Sequence, residues 1–140
     1  MIYLTRRERF SAAHRMFRPD WSDAKNMEIF GKCSNPKWHG HNYDLYVTVR
    51  GELSEGYGFV MNISKLKQII IDNIIRKIDH KNINLEVDFL SGRIISTESL
   101  VKGIWDQLEN PIRNLGVELH CIKLQETENN SVEYYGKHKS

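Results

Sequence analysis

His39-Gly40-His41-Asn42-Tyr43-Asp44-Leu45-Tyr46-Val47-Thr48-Val49-Arg50 decides how the rest of this chain is read. Tyr43, Leu45, Val47 and Val49 fall on one side of an alternating pattern, and Asp44, Tyr46, Thr48 and Arg50 on the other, which is the signature of a half-buried strand. His39 and His41 lie two apart where that strand begins, and on an extended backbone residues i and i+2 point to the same face. Gly40 between them has no side chain, so backbone or ligand can approach closely there. Upstream, Glu8, Phe10, Ala12 and His14 alternate in the same way. Two neighbouring strands can thus aim three imidazoles at one point. Three histidines suit an open zinc site, because a closed structural centre takes four protein ligands whereas a catalytic one keeps three and a free position.

Outward from this pair of strands, Gly51 to Gly58 reads as a turn before Phe59-Val60-Met61. Leu66, Ile69, Ile70, Ile74 and Ile78 then recur at helical spacing, with Asn62 or Ser64 placed to cap the first turn, so a helix is predicted to about Ile78. Asp79 to Arg93 shows no sustained period and reads as a long loop. A second helix follows, capped by Ser96 or Thr97, with Leu100, Val101, Ile104, Trp105 and Leu108 as its apolar stripe and Pro111 just beyond its end. Val117 to Glu126 alternates again, Glu128-Asn129-Asn130 supplies turn residues, and Val132 to Tyr135 is a short partner strand. The order ββααββ with short turns predicts an α+β fold: a four-stranded antiparallel sheet with two helices on one face. So small a sheet leaves exposed edges, which natural proteins cover or pair across subunits.

The 140 residues make one domain, 1–140, long enough for a real core. With 40% hydrophobic and 27% charged residues the composition is that of a globular protein, far from the disordered or fibrous extremes. A net charge of +2 gives no footprint for nucleic acid, so an anionic ligand is expected to be a small phosphate compound. The first residues carry no apolar run after their charges, and the segment from Ile69 to Ile78 is broken by Asp72, Asn73, Arg76 and Lys77. Neither signal peptide nor membrane span is read here. Two cysteines, Cys33 and Cys121, are expected as free thiols in a reducing, cytoplasmic setting.

Cys33 lies in a polar, glycine-flanked loop beside Lys32, six residues before His39. A nearby cation would lower a thiol's pKa and make thiolate available as base or nucleophile. Cys121 alternates with Leu119 and reads as small core packing. Asp79-His80 is either a proton carrier, with the Asp supporting the imidazolium, or a solvated helix terminus. Glu126 shares a face with Ile122 and Leu124 and is expected to be partly buried. Such a carboxylate needs a donor, either an Arg or Lys of the chain or a planar ligand with two parallel N–H groups. Thr97-Glu98 can be simple capping with an acid that suits the helix dipole. Arg15, Lys32 and Lys37 are the cations nearest these motifs.

Five motifs in order now coincide with one family: Phe10-Ser11-Ala12-Ala13-His14-Arg15; Phe30-Gly31-Lys32-Cys33 with His39-Gly40-His41-Asn42-Tyr43; Asp79-His80-Lys81-Asn82; Ser96-Thr97-Glu98; and Glu126-Thr127-Glu128-Asn129. Over nearly its whole length the chain resembles the 6-pyruvoyl-tetrahydropterin synthases of the tunnelling fold. The resemblance implies that His14, His39 and His41 bind Zn2+, that Cys33 is the proton-abstracting base with Asp79 and His80 as its relay, and that Glu126, helped by Thr97 and Glu98, anchors a pterin ring. It implies that three subunits close a barrel and two such rings stack into a homohexamer, with sites between subunits. The implied reaction converts 7,8-dihydroneopterin triphosphate to 6-pyruvoyl-tetrahydropterin and triphosphate without a redox cofactor.

The nearest competitor is 6-carboxy-tetrahydropterin synthase of queuosine biosynthesis, which shares fold, zinc site and substrate but releases acetaldehyde. Its usual loop has three residues between the cysteine and His-Gly-His, whereas five separate Cys33 from His39 here. A third variant carries glutamate in place of the cysteine, and Cys33 argues against it. A non-catalytic zinc- or pterin-binding assembly would have little reason to keep Cys33, Asp79 and His80 together, and plain zinc hydrolysis leaves Cys33 and Glu126 without a role.

Overall fold

The computed structural model describes residues 1–137. In chain order its elements are β1 (Ile2–His14), α1 (Asp23–Phe30), a 3-10 turn (Gly31–Ser34), β2 (His39–Gly51), α2 (Ile63–Ile70), a π-helical stretch (Ile71–Ile75), α3 (Arg76–Ile78), β3 (Lys81–Asn82), α4 (Ile83–Glu86), a 3-10 turn (Asp88–Leu90), α5 (Thr97–Arg113), β4 (Glu118–Gln125) and β5 (Ser131–Tyr134). The centre is the antiparallel pair β1–β2, in register from Ile2 opposite Gly51 to His14 opposite His39. Tyr43, Leu45, Val47 and Val49 are fully buried, as the alternation requires. Helices α2, α3 and α5 with the π-helical stretch supply the other side of that core through Leu66, Ile70, Ile74, Ile78, Leu100, Ile104 and Leu108.

Leu66, Ile70, Ile74 and Ile78 are spaced by four throughout and all are fully buried. In a 3.6-residue helix each such step rotates the side chain onward by about 40°. The wider π-helical turns at Ile71–Ile75 absorb that drift and keep the row on the sheet. Asn62 caps this helix and Ser96 caps α5, each accepting a backbone N–H through its side chain.

The sheet departs from the four antiparallel strands expected. It has five, in the order β3-β1-β2-β4-β5, and β3 runs parallel to β1. Asp79 and His80, just before it, anchor that extra strand on β1. The Asp79 carboxylate accepts the Ser11 N–H (2.9 Å), the His80 N–H donates to the Ser11 carbonyl (2.6 Å), and His80 takes a left-handed φ of 60° that turns the chain along β1. A two-residue strand has no alternation to read, so this region looked like loop. The segment also holds α4. Pro111 lies inside α5, not beyond it; the last turn still closes because Asn114 N–H reaches the Asn110 carbonyl at 3.0 Å. Helix α1 was not foreseen, since Met27 and Ile29 are exposed and its buried residue is Asn26, whose amide holds both backbone groups of Arg18.

Strand β4 carries a bulge: Thr48 pairs with Cys121 but Val49 with Leu119, leaving His120 as the extra residue. Leu119 and Ile122 therefore share the helix-facing side, and Cys121 lies on the other, outside the main core cluster. Cys121 is buried, as its reading as small core packing requires, but the shared face with Leu119 is overturned by the bulge. Burial raises the Cys121 thiol pKa, and both cysteines are free. No helix among the described residues is long and apolar enough to cross a membrane.

Leu45→Ala should lower unfolding free energy by about 2–5 kcal/mol in chemical denaturation, the range for an aliphatic core truncation. Asp79 gives a pH signature. Burial works against its charge, but the Ser11 amide and His80 outweigh that and hold the carboxyl below the ordinary value of 3.8. Its contribution is thus present above that value and lost as pH falls through the lower folded one. The Tm difference between wild type and Asp79→Asn should be widest near neutrality and shrink below about pH 4; a pH-independent difference would exclude the charge as its source.

Candidate active site

The end of the β1–β2 pair places His14 directly opposite His39, with His41 opposite Ala12 on the same face. The imidazole centroids are 4.4 Å (His14–His39), 5.3 Å (His14–His41) and 5.0 Å (His39–His41) apart. One ring nitrogen from each lies within 4.8 Å of the others. His14 is 1% exposed, and its Nδ1 meets the Ile95 carbonyl at 2.8 Å. A carbonyl only accepts, so Nδ1 carries the proton and Nε2 the lone pair. That Nε2 is buried without a partner, as is His39 Nδ1. Burial lowers the pKa of both rings, and the neighbouring imidazoles lower them further, against opposing pulls from Glu126 on both and from the Ile95 carbonyl on His14. Neutral rings with orphaned lone pairs, one already oriented by a backbone carbonyl, fit a divalent metal ion and are costly without one.

Cys33 sits on the 3-10 turn that follows α1. Gly31, with φ of 61°, ends the helix by turning its N–H to the Met27 carbonyl, a conformation that glycine adopts without a Cβ penalty. The turn is held from within by Ser34 Oγ on the Gly31 carbonyl (2.9 Å). A cleft of about 360 Å³ brings together His14, Cys33, Thr97, Glu98 and Glu126, with Asn130 and Val132 on its far wall. Glu126, the residue just after β4, is 20% exposed, accepts a hydrogen bond from the Thr97 hydroxyl and lies 3.7 Å from His41 Nε2. Thr97 is itself fixed as the first residue of α5. Glu98 is exposed at the same helix start. Six of the nine residues picked from sequence, His14, His41, Cys33, Thr97, Glu98 and Glu126, thus meet at or beside one cleft, and His39 completes the imidazole cluster.

Asp79 and His80 do not join them. Their side chains pair at 2.9 Å, and His80 is 82% exposed. They face hollows lined by Arg9, Phe10, Ser11, Gly40, Asn42 and Lys81; the one that includes Lys81 also reaches His41, but neither includes a residue that lines the Cys33 cleft. Of the three cations named for an anion, Lys32 and Lys37 are exposed, while Arg15 is turned inward. Sequence reasoning passed over Asn84, whose side chain brackets the Arg15 backbone, and the Tyr43 hydroxyl, buried without a partner two residues beyond His41. The placement of Tyr43 on the histidine face was legible; the isolation of its hydroxyl was not.

The family model described as 6-pyruvoyl tetrahydropterin synthase matches residues 3–137. The chain is 43% identical over 136 residues to the 6-pyruvoyl tetrahydrobiopterin synthase of Dictyostelium discoideum, covering 97% of each. The structure of Caenorhabditis elegans 6-pyruvoyl tetrahydropterin synthase superposes with a TM-score of 0.89 at 33% identity, over 97% of this chain and 96% of that one. Similarity to the 6-carboxy-5,6,7,8-tetrahydropterin synthase of Bacillus subtilis is lower, 30% over 100 residues, covering 69% of this chain and 64% of that protein. Five motifs in order, one sheet with its histidines, and a match over nearly the full length make this chain an enzyme of the 6-pyruvoyl tetrahydropterin synthase family.

Proposed function

We propose that the chain is a zinc-dependent 6-pyruvoyl-tetrahydropterin synthase, a carbon–oxygen lyase that turns 7,8-dihydroneopterin triphosphate into 6-pyruvoyl-tetrahydropterin and triphosphate. The observation that carries the reading is the shared cleft of His14, Cys33, Thr97 and Glu126 beside His39 and His41. His14, His39 and His41 would hold the ion, which when bound acidifies the substrate's side-chain hydroxyls and stabilises enol-like charge. Glu126, kept in place by Thr97, offers two carboxylate oxygens to adjacent N–H groups of the pterin ring, with Glu98 at the rim. Cys33, as thiolate, takes a proton from a side-chain carbon and returns it elsewhere. Oxidation of the side chain and reduction of the ring balance each other, and triphosphate leaves with its electron pair.

Asp79 and His80 open away from Cys33 within one chain, which supports a relay supplied by a neighbouring subunit. In this reading the domain, 1–140, acts within a homohexamer built as a dimer of trimers, its exposed sheet edges paired between subunits. The free thiols suit a cytoplasmic protein. The five-residue spacing between Cys33 and His39, with the greater likeness to the pyruvoyl-forming relatives, supports this product over the carboxy product of queuosine biosynthesis.

Mass-spectrometric product analysis on the zinc-loaded protein tests the reading. A pyruvoyl product is expected; a carboxy product with acetaldehyde would move the chain to the other branch, and no turnover by an intact oligomer would leave a binding assembly. Cys33→Ala should keep zinc and lose most turnover, whereas His39→Ala should lose zinc by elemental analysis. Glu126→Ala should weaken pterin binding more than zinc binding. Mixing inactive Cys33→Ala and His80→Ala chains through a dissociation and reassembly step should restore part of the activity, and no recovery by reassembled mixed oligomers would exclude a shared site.

A further inference from the structure

Arg15 follows the metal-site histidine and is only 13% exposed. Its Nε donates to the carbonyl of Ser34 at 2.6 Å. The guanidinium carbon lies 4.1 Å from the centroid of the Phe17 ring, and Nη2 reaches Asp23 at 3.6 Å. The next residue, Met16, donates its N–H to the carbonyl of Cys33 at 2.8 Å. Two consecutive carbonyls of the cysteine turn are therefore held by two consecutive residues of the segment that leaves β1. That segment is fixed in turn by Asn84, which accepts the Arg15 N–H through Oδ1 and donates through Nδ2 to the Arg15 carbonyl, both at 2.9 Å.

We propose that Arg15 is a positioning residue for Cys33, its Nε–H bond to Ser34 and its stacking on Phe17 locking the thiol's turn at a fixed distance from His14. The inference rests on the reading above that Cys33 acts on substrate. An arginine that served as a mobile anchor for an anionic substituent would present its fork to solvent; this one directs its Nε inward and sets its guanidinium carbon over an aromatic ring. Lysine keeps the charge but has no Nε–H at that point of the chain and no plane to stack, so the two roles part cleanly in an Arg15→Lys variant. A displacement of the base by about 1 Å is enough to cost on the order of a hundredfold in rate.

The test uses the full-length, zinc-loaded protein with 7,8-dihydroneopterin triphosphate as substrate. Arg15→Lys and Arg15→Met should lower kcat by about tenfold to a hundredfold with KM within about threefold of wild type. Bound zinc should be unchanged, and the pH profile of Cys33 alkylation by iodoacetamide, followed on its own peptide, should be altered. Asn84→Ala, which leaves the guanidinium intact, should move kcat and the alkylation profile in the same direction, and it carries the test if Arg15→Met does not fold. Wild-type kcat in Arg15→Lys, a loss confined to KM, or an unchanged alkylation profile would each overturn the proposal. Cys33→Ala measured alongside separates the two levels: if it is inactive while the Arg15 variants keep kcat, the clamp alone falls. If it stays active, the role of Cys33 falls and the clamp with it.

Discussion

The register of β1 on β2 is the constraint from which the site follows. His14 stands opposite His39 because Phe10 stands opposite Tyr43 and Leu4 opposite Val49, all in one uninterrupted ladder. A slip of one residue would turn every side chain of one strand to the other face. It would expose Tyr43, Leu45, Val47 and Val49, each costing about 1.5–3 kcal/mol when taken out of the core. Together they come to about 6–12 kcal/mol, comparable with the whole stability of about 5–15 kcal/mol of such a domain. The imidazole cluster is thus placed by apolar burial several residues away, so a group of three rings that could hold a metal ion is set by the fold itself.

Glu126 depends on a second constraint, the bulge at His120. Without an extra residue, β4 would present either Leu119 or Ile122 to the helices, but not both; with it, Leu119, Ile122 and Leu124 all join the core, and Glu126 follows two residues after Leu124. The carboxylate therefore emerges at the end of an apolar row, where its charge must be met by specific donors. Thr97 provides one, from a helix start whose position Ser96 secures by capping. His41 Nε2 lies 3.7 Å from the other carboxylate oxygen. Sheet, cap and cleft thus form one connected arrangement in which each polar group is oriented by a neighbour that has a separate structural reason to be there.

What the sequence disclosed follows from which features are periodic. The long strands, the row from Leu66 to Ile78 and the stripe of α5 repeat often enough to be read, and with them came His14, His39, His41 and Glu126. Helix α1 has no such repeat: its buried residue is an asparagine that stabilises by hydrogen bonds, and its apolar side chains face outward. Strand β3 is too short to alternate and exists because Asp79 and His80 bond to Ser11, sixty-eight residues from Asp79 along the chain. The face of Cys121 was misread because a bulge changes strand phase without leaving a mark in composition. The inward turn of Arg15 was hidden for a related reason: its partners, Ser34 and Asn84, are distant in sequence and unremarkable in type.

The stretch between Cys33 and His39 shows how a loop can hold a side chain as firmly as a strand. Asn35 N–H bonds back to Lys32, Trp38 N–H bonds back to Asn35, and the Asn35 side chain accepts the Lys37 N–H, so consecutive turns leave little free backbone. Trp38 closes the run with a φ of 69°, a left-handed conformation that costs a bulky residue about 1–2 kcal/mol. It persists because both flanks over-determine it: His39 is already in the ladder with His14, and the indole stands edge-on to Phe17, the ring under Arg15. The five residues therefore act as a strut of set length between thiol and first imidazole. Shortening it would move the thiol relative to the histidines, so the length of this loop is a geometric variable of the site rather than a neutral difference on the surface.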